Sequence, residues 1–416
     1  MPWRIHRSLL HGKSCWGSLI ARQPDYAPRF EGLDALRGLA LMGLFFVHMS
    51  ELYSLYWAHP TTVPLQRTVH DVVFTMFGGK SFALLSLCFG ASFFIIMDRQ
   101  AQRGNDFTVR FLWRLAVLGL FGLLHSLWYW NDILEILALM GVLLLPIYRV
   151  KSNLAILALA VFLLLQPQMW IQLVSALAGA EWANRPPGYW SLGIPRAYLT
   201  GSLLETLRTN LAFGHLFKWQ FMWESGRLNQ ILGLSLIGFL LGRIGFFQRP
   251  ESFVRTRLVC FAVAVIVALG LYLGRDHLAA LVPQARPMVM PRVILTTILS
   301  SLLNLSLMVV LMMGFLILYY GRGHRILNAL APAGRMTLTL YVGQALVFVP
   351  VFYGFGLGLH ATMTQTSVMP LAASAFAAQL VFAHMWFRHF RYGPLEWVWR
   401  AATFWTVDVP FRRRPA

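Results

Sequence analysis

Residues 336–387 read MTLTLYVGQA LVFVPVFYGF GLGLHATMTQ TSVMPLAASA FAAQLVFAHM WF. These 52 consecutive residues contain no Asp, Glu, Lys or Arg. A helix crosses the hydrocarbon layer of a bilayer with roughly 20 apolar residues, so this stretch is too long for one crossing. Its only polar break, His360 to Ser367, divides it into two helices. A soluble domain cannot leave such a run unbroken, because its surface must stay solvated. The chain is therefore read as all-α and membrane-spanning.

Working outward, further apolar runs lie near 34–56, 75–97, 111–130, 132–149 and 153–177, then near 228–246, 255–274 and 294–320. With the two helices of 336–387 the expected total is ten. Positive charge falls on alternate connections. Arg99, Arg103 and Arg110 share one, Arg149 and Lys151 the next, then Arg243, Arg249, Arg255 and Arg257, then Arg322 and Arg325. The chain ends in Arg412, Arg413 and Arg414, whereas the connection at 358–367 has no Lys or Arg. Basic loops stay on the cytoplasmic side, so both termini are expected inside. The resulting organisation is a basic cytoplasmic tail at 1–30, with a short interfacial helix around Trp16 to Ile20. A first transmembrane half follows at 31–177, an outer connection at 178–227, a second half at 228–402 and a basic cytoplasmic tail at 403–416. The outer connection mixes Trp182, Trp190, Arg196, Glu205, Arg208 and Lys218. It reads equally as interfacial helices, a lid over an outward-facing site, or a passive loop.

Composition agrees. Only 12% of the 416 residues are Asp, Glu, Lys or Arg, where a soluble protein carries roughly a quarter. Mean hydropathy is +0.60. This excludes an ordinary cytoplasmic enzyme, a disordered chain and a fibrous protein. Three widely spaced cysteines, Cys15, Cys88 and Cys260, make neither a disulfide framework nor a metal ligand set. The net charge of +19 sits between apolar runs rather than in one stripe. Contact with anionic lipid explains it better than nucleic acid does.

Ionisable side chains inside a span cost several kcal/mol unless paired or hydrated, so each is a functional candidate. Asp34 and Arg37 are three residues apart on the first span, and His48 lies eleven residues after Arg37. Eleven residues make about three helical turns, which places all three on one face, with His48 roughly 16 Å along the axis from Arg37. Packing alone offers an interfacial Asp–Arg pair and a hydrogen-bonded core histidine. A second group comes from the other direction. His125 ends the third span, and Asp132 and Glu135 open the fourth on one face, joined through a tight turn at Trp130-Asn131. An acid beside an imidazole fixes its tautomer and raises its basicity. Asp132 also reads as a helix cap, whereas Glu135 lies one turn deeper. Lys80, at the start of the second span, and Arg335, opening the ninth, add positive charge; Thr339, Tyr341 and Gln344 add polar groups inside that span. His59 follows His48 by eleven residues in the outer loop.

Several blocks carry a family resemblance. They are Leu33-Asp34-Ala35-Leu36-Arg37-Gly38, Lys80-Ser81-Phe82 through Phe89-Gly90, Leu124-His125 with Asp132-Ile133-Leu134, Gly334-Arg335-Met336-Thr337-Leu338-Thr339 with Gln344, and Tyr392-Gly393-Pro394-Leu395-Glu396-Trp397 through Arg400. In this order they resemble the YeiB family, domain of unknown function 418, over about residues 30–402. That family is more distantly similar to the transmembrane acyltransferase group, which includes acyltransferase-3 O-acetyltransferases and heparan-glucosaminide N-acetyltransferase. The Arg37–His48 spacing matches the arginine–histidine spacing of acyltransferase-3 proteins. His59 stands where relatives of the lysosomal enzyme carry a functional histidine.

The resemblance implies acyl transfer in a bacterial inner membrane. Acyl-CoA, acetyl-CoA above all, is then the expected donor, held at the cytoplasmic mouth by Arg37, Arg114 and Arg335, with Asp34 and Lys80 beside them. His48 or His59 is the expected general base or acyl carrier, with Asp132 or Glu135 orienting the imidazole and His125 nearby. The acceptor is a glycan, lipid or small metabolite on the outer side. Membrane lipids are expected neighbours, and the oligomeric state, including a homodimer, stays open. A proton-coupled transporter or exporter is the alternative, using the same stripe of Asp34, Arg37, His48, His125 and Glu135 as its path. No metal and no nucleic acid enters either reading.

Overall fold

The computed structural model describes residues 30–282 and 289–413. The expected helix at Trp16–Ile20, most of the first tail and Cys15 lie outside them. Residues from Glu31 onward form one compact unit. Its helices are α1 (Glu31–Val47), α2 (Pro64–Phe77), α3 (Ser81–Ala101), α4 (Thr108–Trp128), α5 (Leu134–Tyr148), α6 (Asn153–Leu164), α7 (Pro167–Leu177), α8 (Arg196–Thr200), α9 (Leu203–Thr209), α10 (His215–Glu224) and α11 (Arg227–Arg243). They continue as α12 (Val254–Ala280), α13 (Met290–Tyr319), α14 (His324–Leu327), α15 (Ala331–Arg335), α16 (Thr337–Phe352), α17 (Gln365–His389) and α18 (Pro394–Phe404). No strand occurs among the described residues; one isolated antiparallel bridge joins Phe390 to Arg412.

Every apolar run falls on a helix, and residues 336–387 form two, α16 and α17. The ten crossings do not all follow. Six helical segments are long and apolar enough to cross a membrane, and eight if each of two bent pairs counts as one. Length is the reason. Helix α5 has 15 residues and α11 has 17, short of a full crossing. The pair α6–α7 bends by 41° at Gln166, whose φ is 55°, and the α14–α15 segment meets α16 at 77°. Proline opens α2, α7 and α18, where a missing N–H costs no helical hydrogen bond.

The two halves of the sequence are not two bodies. Helix α3 from the first packs closely on α11 from the second, with Gly90 and Gly238 at the crossing. A Cβ on Gly90 would sit 1.8 Å from the Ser235 carbonyl oxygen, and one on Gly238 1.9 Å from that of Leu87. Small residues allow backbones this close in a membrane bundle. Helix α1 meets α15 in the same way: a Cβ on Gly334 would fall 1.7 Å from the Asp34 carbonyl oxygen. That contact sets Arg335 beside the start of α1.

The segment 178–227 is packed rather than passive. Helices α8, α9 and α10 dock on the bundle through the Asn210 amide to the Leu127 carbonyl (2.7 Å), Gly354 N–H to the Tyr198 carbonyl (2.9 Å) and the fully buried Lys218. Helix α18 runs to Phe404, and the chain after it folds back. Arg391 N–H donates to the Phe411 carbonyl at 2.9 Å, and Arg413 N–H to that of His389 at 2.8 Å.

Candidate active site

Helix α4 ends at Trp128, and the chain turns within a few residues into α5. The turn puts Asp132 under the first backbone amides of α5. Its Oδ2 accepts from Leu134 N–H at 2.8 Å and Glu135 N–H at 3.3 Å, satisfying donors that a helix start leaves without partners. Its Oδ1 takes His125 Nδ1–H at 2.7 Å. Three donors on one carboxylate hold it as an acceptor, so the imidazole keeps its proton on Nδ1 and presents Nε2 as the basic atom. The pair is sealed, with side-chain exposures of 2% for His125 and 0% for Asp132. The His125 Nε2 is buried and has no hydrogen-bond partner. A carboxylate, an oriented imidazole and an unused ring nitrogen form a general-base dyad.

His125 is the imidazole that the fold pairs with a buried carboxylate. Among the described residues, neither His48 nor His59 is hydrogen-bonded to one. His48 is buried in a π-helical turn, His48–Tyr53, that continues α1, and its Nδ1 has no partner. It packs on Tyr53, Tyr129 and Tyr341 at ring distances of 5.5, 5.3 and 6.1 Å. His125 packs on two of these tyrosines, 5.8 Å from Tyr129 and 5.1 Å from Tyr341. The hydroxyls of Tyr53, Tyr129 and Tyr353 are likewise buried without partners, so this layer is polar and aromatic rather than lipid-like. His59 is exposed and stacks on His360 at 5.3 Å, away from the dyad. It lies in the loop between α1 and α2, because the helical turns that continue α1 end at Ala58.

Glu135 serves a different partner. Its Oε2 pairs with Lys218 Nζ at 2.9 Å, its Oε1 accepts from Ser126 Oγ at 2.6 Å, and the Lys218 ammonium also donates to Ser126 Oγ at 2.9 Å. His215 Nδ1 lies 3.7 Å from the same carboxylate. The expected acidic pair is therefore divided: Asp132, ahead of α5, holds His125, and Glu135, in the first turn of α5, ties α10 to the bundle. Sequence reasoning passed over Lys218 as a loop charge. Its signal was the His215–Lys218 spacing of three on an aromatic helix, which puts both on one face.

A cavity of 330 Å³ runs beside the dyad: Ile133 and Leu134 line it, whereas His125 and Asp132 lie behind that wall. Arg37, Arg114, Arg335 and Arg400 line one end, and Ile133, Leu134 and Tyr341 line the other. The Tyr341 hydroxyl accepts from Ile133 N–H at 3.3 Å, one residue from Asp132. Arg37 pairs with Asp34 at 3.0 Å and donates to Ser92. Arg114 stacks over Trp399 at 3.7 Å and Arg335 over Phe387 at 3.8 Å, contacts that fix each guanidinium plane. Glu396, also on the wall, accepts from Thr339 N–H at 3.1 Å and Thr339 Oγ1 at 2.5 Å, and burial raises its carboxyl above the usual range. The wall remains strongly positive. Arg37, Arg114 and Arg335 are brought together as expected, with Arg400 an addition. Its signal was the Tyr392–Arg400 block itself. Lys80 is not among them; it is buried at the start of α3, 3.4 Å from the Phe74 carbonyl oxygen.

Residues 241–406 match the model of a family described as protein of unknown function, DUF418. Over most of its length the chain is similar to three bacterial proteins. It is 24% identical over 404 residues to the uncharacterized protein YxaH of Bacillus subtilis, covering 89% of this chain and 93% of that one. It is 25% identical over 407 residues to the uncharacterized protein YeiB of Escherichia coli, covering 89% and 95%. An uncharacterized 39.9 kDa protein of Bacillus acidopullulyticus is 25% identical over 389 residues, covering 90% and 94%.

Proposed function

The chain belongs to the YeiB-like family of membrane-helical proteins, and from that premise we propose that it is an acyltransferase of the bacterial inner membrane. It takes an acyl group, acetyl in the simplest case, from acyl-CoA on the cytoplasmic side. It passes that group to a hydroxyl or amine of a glycan, lipid or small molecule on the outer side. The observation that carries this reading is one cavity lined by four arginines, with a buried His125–Asp132 dyad directly behind its Ile133–Tyr341 wall.

The volume supports an arm rather than a whole nucleotide. Sites for drug-sized ligands span about 300–1,000 Å³, so 330 Å³ takes a pantetheine chain with its thioester and leaves the nucleotide outside. Arg37, Arg114, Arg335 and Arg400 meet phosphate oxygens by charge-assisted bonds. His125 Nε2 takes the proton of the acceptor as its oxygen or nitrogen attacks the thioester carbonyl. The carbon–sulfur bond breaks, and the proton passes to the departing thiolate. Asp132 stabilises the imidazolium in between, the role a buried carboxylate plays in serine hydrolases.

The experiment uses the full chain in nanodiscs with radiolabelled acetyl-CoA. Equilibrium binding and release of free CoA thiol are followed for wild type and Arg335→Gln. Wild type binds and turns over, and the variant weakens binding by about tenfold, the size of one lost charge-assisted contact. Absence of both binding and thiol release in wild type refutes the reading. One observation favours the transporter alternative: the buried Lys218–Glu135 pair with His215 beside it, an arrangement that moves protons as readily as it ties helices. Proton flux into proteoliposomes without acetyl-CoA would place that reading first.

A further inference from the structure

A second cavity, of 260 Å³, lies between α3, α11 and α13 beneath the segment 178–227. Helix α13 is the source of its polarity. In a 30-residue apolar helix, Thr297, Ser300 and Asn304 recur at spacings of three and four, which puts them on one face, and all three line the cavity. Gln230 of α11 lines the opposite wall and donates to Ser301. Tyr189 and Phe221 close it from the 178–227 segment.

Arg227 supplies the charge. It opens α11 and lines this cavity, with its guanidinium 4.5 Å from the Phe82 ring and 5.9 Å from that of Phe221. Among the described residues it has no hydrogen-bonded or ion-paired acceptor. The nearest carboxylate, Glu51, attracts it at longer range and takes the Trp57 indole N–H at 2.5 Å instead. Lys80 adds a second positive charge nearby. A guanidinium has five donors in a planar fork that matches phosphate or carboxylate oxygens. Two aromatic faces fix its plane, so its edges are left for a ligand. Leaving those donors unused within a bilayer carries a desolvation cost that an anion relieves.

We propose that this cavity binds a small polyol bearing one phosphate, with Arg227 on the phosphate and the α13 hydroxyls and Asn304 on the ligand's hydroxyls. Hydroxyl and amide groups around an aromatic wall recognise a molecule with several hydroxyls and apolar C–H faces. The volume falls below that of drug-sized sites, so the occupant is of sugar size or smaller. The inference does not depend on acyl transfer. Its lining residues are separate from those of the arginine cavity. The same chemistry occurs in a free glycerol phosphate and in the headgroup of phosphatidylglycerol.

The test uses the full chain in a neutral maltoside detergent, titrated calorimetrically with glycerol 1-phosphate, inorganic phosphate and glycerol. Glycerol 1-phosphate should bind about tenfold or more tighter than glycerol, the effect of one charge-assisted contact, and tighter than phosphate alone. Arg227→Gln should remove that preference. If Arg227→Gln does not fold, Ser300→Val carries the test by filling the cavity from a half-buried position and weakening glycerol 1-phosphate in the same way. A parallel arm reads retained phosphatidylglycerol by native mass spectrometry. Retention by wild type and loss in the variant assign the headgroup as source, and binding of the free phosphate alone assigns a soluble ligand. Neither probe binding, or binding unchanged in both variants, overturns the site.

Discussion

Asp132→Asn separates the chemistry of the dyad from its structure. The substitution keeps size and shape, and an asparagine oxygen still accepts from the Leu134 and Glu135 amides, now at 2.8 and 3.3 Å from Oδ2. Asn and Asp cap helices about equally well, so α5 keeps its start. The change falls on the other oxygen. An amide N–H₂ would face His125 Nδ1 across 2.7 Å, two donors would collide, and the imidazole would move its proton to Nε2. The basic nitrogen is then lost to the reaction. Losing a positioned general base costs about 10²–10⁴ in rate. Exchanging a charged hydrogen bond for a neutral one costs roughly 1 kcal/mol, which moves the melting temperature by only a few degrees. His125→Ala is a poorer probe, since it leaves a buried carboxylate unpaired at about 3–5 kcal/mol. The assay follows CoA thiol release from acetyl-CoA in proteoliposomes, with thermal melting on the same samples. A folded Asp132→Asn protein within threefold of wild-type turnover refutes the dyad.

Other perturbations probe the neighbouring groups. Lys218→Met should lower stability by about 3–5 kcal/mol because it strands Glu135, whereas the double variant Lys218→Met with Glu135→Leu should recover most of that loss in melting scans. His59→Ala should leave turnover within about twofold, since the ring is exposed. His48→Ala should lower both turnover and melting temperature by opening a void among Tyr53, Tyr129 and Tyr341, and equal behaviour of the two variants would contradict the geometry. Glu396 gives a pH signature. Its carboxyl is raised from 4.5 by burial, against the lowering effect of its bonds from Thr339, so the folded chain holds that proton longer than the unfolded one. The stability this confers is full below pH 4.5 and is lost as pH rises through the folded value. Melting of Glu396→Gln should therefore fall less than that of wild type over this window, and parallel curves would argue against the raised value.

What the sequence made legible follows from where the physics is local. A 52-residue run without charge dictates two helices whatever surrounds it, and α16 and α17 are there. Asp132 was readable as a helix cap, and it does accept the first amides of α5, with Glu135 one turn deeper. Which partner each finds was not readable, because that depends on packing between distant elements. Lys218 comes from 83 residues beyond Glu135, and the one-residue difference between a loop charge and a buried ion pair is decided by the docking of α10. The number of crossings was not readable for a similar reason. Hydropathy records where a helix is apolar, but the bends at Gln166 and Met336 depend on backbone angles that hydropathy does not register.

The choice of histidine shows the same limit from the other side. Arg37 and His48 share a helical face over eleven residues only if the helix stays α to its end. Helix α1 does stay α through Val47, and the wider turn begins only at His48. His48 nevertheless lies in an aromatic layer, whereas the arginine cavity ends at Ile133 and Tyr341, beside His125. In the acyltransferase reading, a thioester carried past Arg37 along that cavity comes up against the Ile133–Tyr341 wall, with the His125–Asp132 pair behind it. His48 and Tyr129 then stand between the dyad and the loop bearing His59. In the acyltransferase reading, that layer is where an acceptor hydroxyl must enter, and its buried polar atoms without partners are the groups available to receive it.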